Sequence, residues 1–167
     1  MTRRVMVVIS VVIIALDQVT KQLIRAEIAL NDTLEVIPGF FNLVHVRNTG
    51  AAFGILNVTD LAYKRFLMTG IASVALVAIA FYVRQVASHE TLSRVGLALI
   101  LGGAVGNLID RAAMGYVVDF VDVYWKHVHF WAFNVADSAI TVGACLLIVD
   151  MFWGPRPEQP DDVPTSV

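Results

Sequence analysis

The stretch FLMTGIASVALVAIAFYV, residues 66–83, contains no charged side chain and lies between Arg65 and Arg84. About 20 apolar residues in a helix, each rising about 1.5 Å, cross the hydrocarbon core of a bilayer. This stretch therefore predicts a transmembrane helix. The chain of 167 residues is 57% hydrophobic and 16% charged, which excludes an ordinary soluble domain.

Three further apolar runs reach spanning length only by continuing through an aspartate. They cover residues 5–16, 95–109 and 138–149, and the aspartates beside them are Asp17, Asp110 and Asp137. We predict a membrane all-α bundle of four transmembrane helices, at about residues 5–24, 66–83, 95–112 and 132–152. We expect one membrane-embedded domain over residues 1–153 and a disordered cytoplasmic tail over residues 154–167, which are rich in proline and acidic residues.

Alternation of the four predicted spans brings the aspartates to one membrane face. The first and third helices leave the same side, so Asp17 and Asp110 lie at their far ends, and the fourth helix starts there with Asp137. The segment between the third and fourth helices, with Asp119 and Asp122, lies on that side too. An aspartate at membrane depth is costly unless it is paired or faces water, so this cluster is a candidate functional site.

The orientation of the helices rests on the first span. Basic residues are equally frequent on the two sides, but Arg3 and Arg4 precede the first helix, which favours a cytoplasmic N-terminus. An arginine pair ahead of an apolar run is also typical of a signal peptide. Because the helical pattern continues through Asp17, Lys21 and Ile24, we expect an uncleaved first span and an extracytoplasmic aspartate cluster.

The connection over residues 26–65 is too long for a plain loop and has the character of β-structure. It contains Thr33–Ile37, a turn at Pro38 and Gly39, and the β-prone residues 40–46. We predict a small extracytoplasmic β-sheet, a cradle that roofs the carboxylates. A short surface helix is expected to follow at about residues 59–64.

Asp119 and Asp137 are the candidate catalytic residues. Both lie among apolar neighbours, in VVDF at residues 117–120 and FNVADS at residues 133–138. Two carboxyl groups held close together cannot both ionise cheaply, so one keeps a proton as an acid while the other activates water. Asn134, Asn107 or Arg111 would donate hydrogen bonds to the oxyanion or to substrate carbonyls. These features indicate the chemistry of an aspartic protease.

The remaining polar residues of the cluster are interpreted as supporting groups. Asp17 and Lys21 are spaced i,i+4 on the first helix, which predicts an ion pair. Asp110 and the adjacent Arg111 are expected to form a fixed, ionised pair that positions the site.

Two glycine-containing stretches predict close approach of backbones. Gly102 and Gly106 form a small-xxx-small face for helix packing. In RNTGAAFG, residues 47–54, Gly50 would let the backbone approach a substrate while Asn48 orients it.

Other chemistries have weaker support in the sequence. His127 and His129 with Asp119 or Asp122 are possible metal ligands, but HxH among aromatic residues is more typical of an interfacial strand. We expect neither a metal nor a cofactor, and Cys145 within its apolar run is interpreted as packing. The aspartates cluster at one end without an internal repeat, which argues against a transporter. A net charge of −2 argues against a nucleic-acid partner.

Five motifs occur in order between residues 5 and 152. They are DQVTK at 17–21, RNTGAAF at 47–53, GNLIDR at 106–111, VVDF at 117–120 and FNVAD at 133–137. Together they resemble the motif series of lipoprotein signal peptidase, also called signal peptidase II.

That resemblance implies an aspartic endopeptidase of the bacterial inner membrane that cleaves prolipoproteins before a diacylglyceryl-modified cysteine. It implies a catalytic pair at Asp119 and Asp137, cytoplasmic termini and a periplasmic active site. The supporting or substrate-contacting positions would be Asp17, Lys21, Asn48, Gly50, Asn107, Asp110, Arg111 and Asn134. Expected partners are diacylglyceryl-modified prolipoproteins, membrane lipid and cyclic peptide inhibitors such as globomycin.

Overall fold

A computed structural model describes residues 1–50, 64–87 and 90–153. Four helices in these ranges are long and apolar enough to cross a membrane. They are α1 (Arg3–Glu27), α2 (Lys64–Val83), α3 (Thr91–Met114) and α4 (Val135–Trp153). The four predicted spans are confirmed, and α4 begins at Val135 rather than at residue 132 because Phe133 pairs with a β-strand. The chain is a multi-pass membrane protein.

Helix α3 packs against α1 and α4 through glycines. A Cβ on Gly102 would lie 2.9 Å from the Ser10 carbonyl oxygen of α1, and a Cβ on Gly96 would lie 2.7 Å from the Gly143 carbonyl oxygen of α4. Gly106 faces the Asp17 side chain. The predicted small-residue face at Gly102 and Gly106 is therefore confirmed, and a second one joins α3 to α4.

A four-stranded antiparallel sheet lies between the helix ends, with strand order β1-β2-β3-β4. The strands are β1 (Thr33–Ile37), β2 (Phe41–Asn48), β3 (Val117–Trp125) and β4 (Val128–His129). The β1–β2 hairpin confirms the predicted sheet, and Gly39 in its turn has a φ of 78°, a left-handed conformation that glycine adopts without strain. The predicted surface helix at residues 59–64 lies, apart from Lys64, outside the described residues, and so does the tail at 154–167.

The sheet is attached to the bundle by an apolar cluster. Ile24 and Ile28 at the end of α1 pack with Val118 and Phe120 of β3, and all four are buried. Because β3 follows α3 directly and pairs with β2, this packing holds the sheet over the helix ends that carry the aspartates.

Candidate active site

Two carboxyl groups from different elements meet through one asparagine. Asp119 lies in β3, and Asp137 lies in the first turn of α4. Asn134 donates its Nδ2 to Asp119 Oδ1 at 2.7 Å and its backbone N–H to Asp137 Oδ2 at 3.3 Å. The Asp137 N–H donates back to Asn134 Oδ1 at 2.9 Å, so Asn134 and Asp137 cap the helix reciprocally. The structure thus brings the predicted pair of aspartates together.

A second asparagine binds each carboxyl group. Asn48 Nδ2 donates to Asp119 Oδ2 at 3.0 Å, and Asn107 Nδ2 donates to Asp137 Oδ1 at 2.8 Å. Asn48 Oδ1 in turn accepts the Gly50 N–H at 3.0 Å. Four hydrogen bonds from asparagines therefore orient the two carboxyl groups.

The surroundings of Asp119 favour its protonated form. Burial raises the pKa of Asp119 to about 7, and the nearby Asp137 carboxylate acts in the same direction. The hydrogen bonds from Asn48 and Asn134 and the positive charge of Lys21 oppose this rise in pKa. Asp119 consequently holds a proton far more readily than an exposed aspartate does.

Lys21 is a buried cation behind the two carboxyl groups. Its Nζ lies 2.8 Å from Asp17 Oδ2, 2.9 Å from Asn107 Oδ1 and 3.0 Å from Asp110 Oδ2. These three partners match the three hydrogens of the ammonium group. The predicted Asp17–Lys21 ion pair is confirmed. Because Lys21 occupies Asn107 Oδ1, the amide Nδ2 of Asn107 is directed at Asp137.

Asp17 and Asp110 hold the backbone next to the paired aspartates. Asp17 Oδ1 accepts the N–H of Ala136 at 3.0 Å, and Asp110 Oδ2 accepts the N–H of Val118 at 3.3 Å. Ala136 immediately precedes Asp137, and Val118 immediately precedes Asp119. The two buried carboxylates therefore position the backbone on both sides of the site.

Asp110 differs from the expectation in its ion-pair partner, although its negative charge still acts on Arg111. Asp110 forms its ion pair with Lys21 of α1, because consecutive residues of a helix do not face each other. Arg111 Nη2 donates to the Gly50 carbonyl oxygen at 3.4 Å, and its charge interacts with the Asp137 carboxylate. Arg111 thus lies close to Gly50 and to the Asp137 carboxylate.

Comparison with known proteins decides the family. The family model described as signal peptidase (SPase) II matches residues 9–153. The chain belongs to the signal peptidase II family. It is 49% identical to a lipoprotein signal peptidase of Syntrophotalea carbinolica over 87% of this chain and 89% of the relative. A lipoprotein signal peptidase of Geobacter metallireducens is 43% identical over 95% of this chain and 97% of the relative.

Solved structures agree with this family membership. A bacterial membrane enzyme determined by the in meso method at 2.3 Å resolution superposes with a TM-score of 0.81 and 33% identity, over 94% of each chain. The resemblance predicted from the five motifs is confirmed, and the protein is a membrane protease of lipoprotein processing.

The sequence pattern does not single out Gln18, although this residue lies inside the DQVTK motif of this signal peptidase II chain. Its Nε2 lies 3.2 Å from Asp17 Oδ2, 3.1 Å from the Gly106 carbonyl oxygen and 3.0 Å from Asp110 Oδ1. The available signal in the sequence is the position of the Gln18 amide next to Asp17. The partners of Gln18 on α3, Gly106 and Asp110, cannot be predicted from the sequence of α1 alone.

The histidines considered as metal ligands have a different arrangement in this family member. His129 Nδ1 lies 3.0 Å from both carboxylate oxygens of Asp122, whereas Asp119 accepts hydrogen bonds from Asn48 and Asn134. Within residues 1–50, 64–87 and 90–153, three or more histidine, cysteine, aspartate or glutamate side chains do not gather into a metal site. The described residues therefore do not form a set of ligands for the alternative metal site.

Proposed function

We propose that this member of the signal peptidase II family is an aspartic endopeptidase that cleaves bacterial prolipoproteins before the diacylglyceryl-modified cysteine. Asp119 and Asp137 are its catalytic pair, and the reaction needs no metal or cofactor. One observation carries this proposal. The two carboxyl groups come from separate elements and share hydrogen bonds from the fully buried Asn134.

The raised pKa of Asp119 supports its role as the acid. We assign the proton of the resting site to Asp119, whose pKa is raised to about 7, and the negative charge to Asp137. Asp137 takes a proton from water, whose oxygen attacks the scissile carbonyl carbon, while Asp119 gives its proton to the carbonyl oxygen. The product of this step is a neutral tetrahedral diol.

Breakdown of the diol restores the starting state. Asp137 gives its proton to the leaving nitrogen as the C–N bond breaks, and Asp119 takes a proton from a diol hydroxyl. A carboxylic acid and an amine leave, with Asp119 protonated and Asp137 ionised again. Arg111, held at Gly50, is suited to bind a substrate carbonyl near the pair.

The proposal includes a location in the bacterial inner membrane. Both termini are cytoplasmic, the site lies near the periplasmic face, and residues 1–153 act as one peptidase domain. The sheet serves as a cradle over the site, in contact with membrane lipid. Cyclic peptide inhibitors of the family, such as globomycin, would compete with the prolipoprotein there.

Single substitutions in purified enzyme test the catalytic pair. Asp119→Asn and Asp137→Asn should each lower the rate of cleavage of a lipidated precursor by about a thousandfold or more, because each removes a proton-transfer group. Asp150→Asn is the matched control, since Asp150 lies at the other end of α4 and accepts a hydrogen bond from Ser93. Normal activity of either mutant of the pair would refute the catalytic assignment.

The same assay tests the substrate and the absence of a metal. A precursor without the diacylglyceryl group should be cut much more slowly than the lipidated form, and a chelator should not change the rate. Equal cleavage of the two precursors would indicate a general membrane protease, and inhibition by the chelator would restore the metal alternative.

A further inference from the structure

A second polar cluster lies on the sheet, outside the Asp119–Asp137 pair. Asp122 of β3 is 7% exposed, and its Oδ2 accepts the amide Nδ2 of Asn42 at 3.0 Å. Both oxygens of Asp122 lie 3.0 Å from His129 Nδ1. The ring of Tyr124 stacks on His129, with centroids 4.8 Å apart and an interplanar angle of 7°. The proposed reaction uses none of these side chains.

This cluster lies where the chain turns back along β3. Residues 128–134, here called the return segment, run antiparallel to β3: the Phe130 N–H donates to the Val123 carbonyl oxygen at 2.8 Å, and Phe133 pairs with Val121. The return segment ends at Asn134, the residue that binds both aspartates of the site. Its register against β3 therefore decides where the amide of Asn134 lies.

Backbone hydrogen bonds at Phe130 and Phe133 fasten the middle of the return segment to β3, and the His129 side chain adds a contact at its start. The paired strand β4 has two residues, Val128 and His129, which face Trp125 and Tyr124. A short edge strand gains little from pairing alone. An ionised carboxylate only accepts hydrogen bonds, so His129 Nδ1 carries the hydrogen and donates it to Asp122.

We propose that Asp122 and His129 are a positioning pair that clamps the return segment to β3 and thereby holds Asn134 against Asp119. Asp122 follows Asp119 by three residues, and His129 precedes Asn134 by five. The pair thus joins β3 to the return segment in the same hairpin that contains the 2.7 Å hydrogen bond between Asn134 and Asp119. The proposal rests on the proposed function, because the hydrogen bond that it protects belongs to the catalytic pair.

Three histidine variants test the clamp by kinetics. His129→Phe keeps a ring for Tyr124 but removes the donor, and it should lower kcat on a lipidated precursor about tenfold while KM stays within about twofold. His129→Asn keeps an amide donor near the Nδ1 position and should recover most of the lost kcat. His127→Phe, in the exposed turn beside it, is the matched control and should keep the kcat of the unaltered enzyme.

Amide hydrogen exchange tests the clamp without any enzymatic activity. In His129→Phe, the N–H groups of Phe130 and Phe133 should exchange about tenfold faster, because both hydrogen bonds join the return segment to β3. His127→Phe should leave their exchange unchanged. Unaltered exchange and kcat in His129→Phe, or a loss that falls on KM alone, would overturn the clamp.

The two proposals fail in distinguishable ways. If the unaltered enzyme does not cleave a lipidated precursor, the proposed function is wrong, and the exchange of Phe130 and Phe133 still decides whether the clamp exists. If the unaltered enzyme cleaves the lipidated precursor and His129→Asn is as slow as His129→Phe, then His129 does not act as the proposed donor. The catalytic assignment stands in that case.

Discussion

Asn134 Nδ2 lies 2.7 Å from Asp119 Oδ1 and 3.3 Å from Asn107 Oδ1. The oxygen of the same amide accepts the Asp137 N–H, so the orientation of the Asn134 amide is decided by its surroundings. Lys21 orients Asn107 in the same way, through the oxygen of its amide. At the scale of single residues, each amide has one end bound to the scaffold and the other end directed at a carboxyl group.

Asn48→Ala should extend activity to higher pH. The Asn48 hydrogen bond lowers the pKa of Asp119, whose value is about 7, so its removal raises that pKa. Activity needs Asp119 protonated and is lost as pH rises through its pKa. The basic limb of kcat/KM should therefore move upward by about half to one pH unit.

The basic limb of the pH profile is measured by the kcat/KM for cleavage of a lipidated precursor between about pH 5 and pH 9. Asn42→Ala is the control, because Asn42 lies on the same strand but binds Asp122 rather than Asp119. Its basic limb should stay in place. A limb that moves to lower pH in Asn48→Ala would contradict the assignment of Asp119 as the acid.

Helix α3 lies at the centre of the bundle and contacts α1, α2 and α4. Its glycines allow close approach on two sides, and its polar residues reach α1 and α4 from the same end. Gly106 shows how the two properties are linked, because a Cβ there would lie 2.6 Å from Asp17 Oδ2. At the scale of elements, the distance between α1 and α3 sets the position of the Asp17 carboxylate, which supports the site.

Gly106→Ala should both destabilise the enzyme and slow it. The added methyl group would push Asp17 away from Lys21 and from the Ala136 N–H, at a cost of about 1–3 kcal/mol. Gly70→Ala on α2 is the matched control, since no heavy atom lies within 4 Å of a Cβ there. That change should leave stability the same or raise it by up to about 1 kcal/mol. Thermal unfolding in detergent measures the stability of both variants. Equal changes in Gly106→Ala and Gly70→Ala would refute the close contact between Gly106 and Asp17.

The whole molecule has a polar site at one end of an apolar bundle. Side chains on the outside of the bundle are apolar and exposed, such as Val7 of α1 at 61% and Val74 of α2 at 72%. Such surfaces are stable only against lipid. The proposed orientation therefore has consequences that can be measured in intact cells.

A single cysteine at Lys126, in the β3–β4 turn, should react from outside the inner membrane. The background is Cys145→Ser, which removes the only cysteine of the chain. Lys126→Cys should react with a membrane-impermeant maleimide in cells with a permeable outer membrane. Thr2→Cys, ahead of α1, should react only after the inner membrane is opened. The reverse pattern would mean that the termini are periplasmic and the site is cytoplasmic.

The sequence by itself determined the four spans, the β1–β2 hairpin and the Asp17–Lys21 ion pair. Each of these follows from local patterns: an apolar run of spanning length, a turn at Pro38 and Gly39, and an i,i+4 spacing. The convergence of the aspartates also followed, because alternating spans place their ends on fixed sides of a membrane.

Only the tertiary structure decided which groups bind which. Asp119 lies on a strand paired with β2, Lys21 binds Asn107 and Asp110 of another helix, and Arg111 donates to the Gly50 carbonyl oxygen. The bond from Lys21 to Asn107 spans 86 residues of sequence. Contacts of that kind depend on the distance and rotation between packed helices, which local residue patterns do not encode.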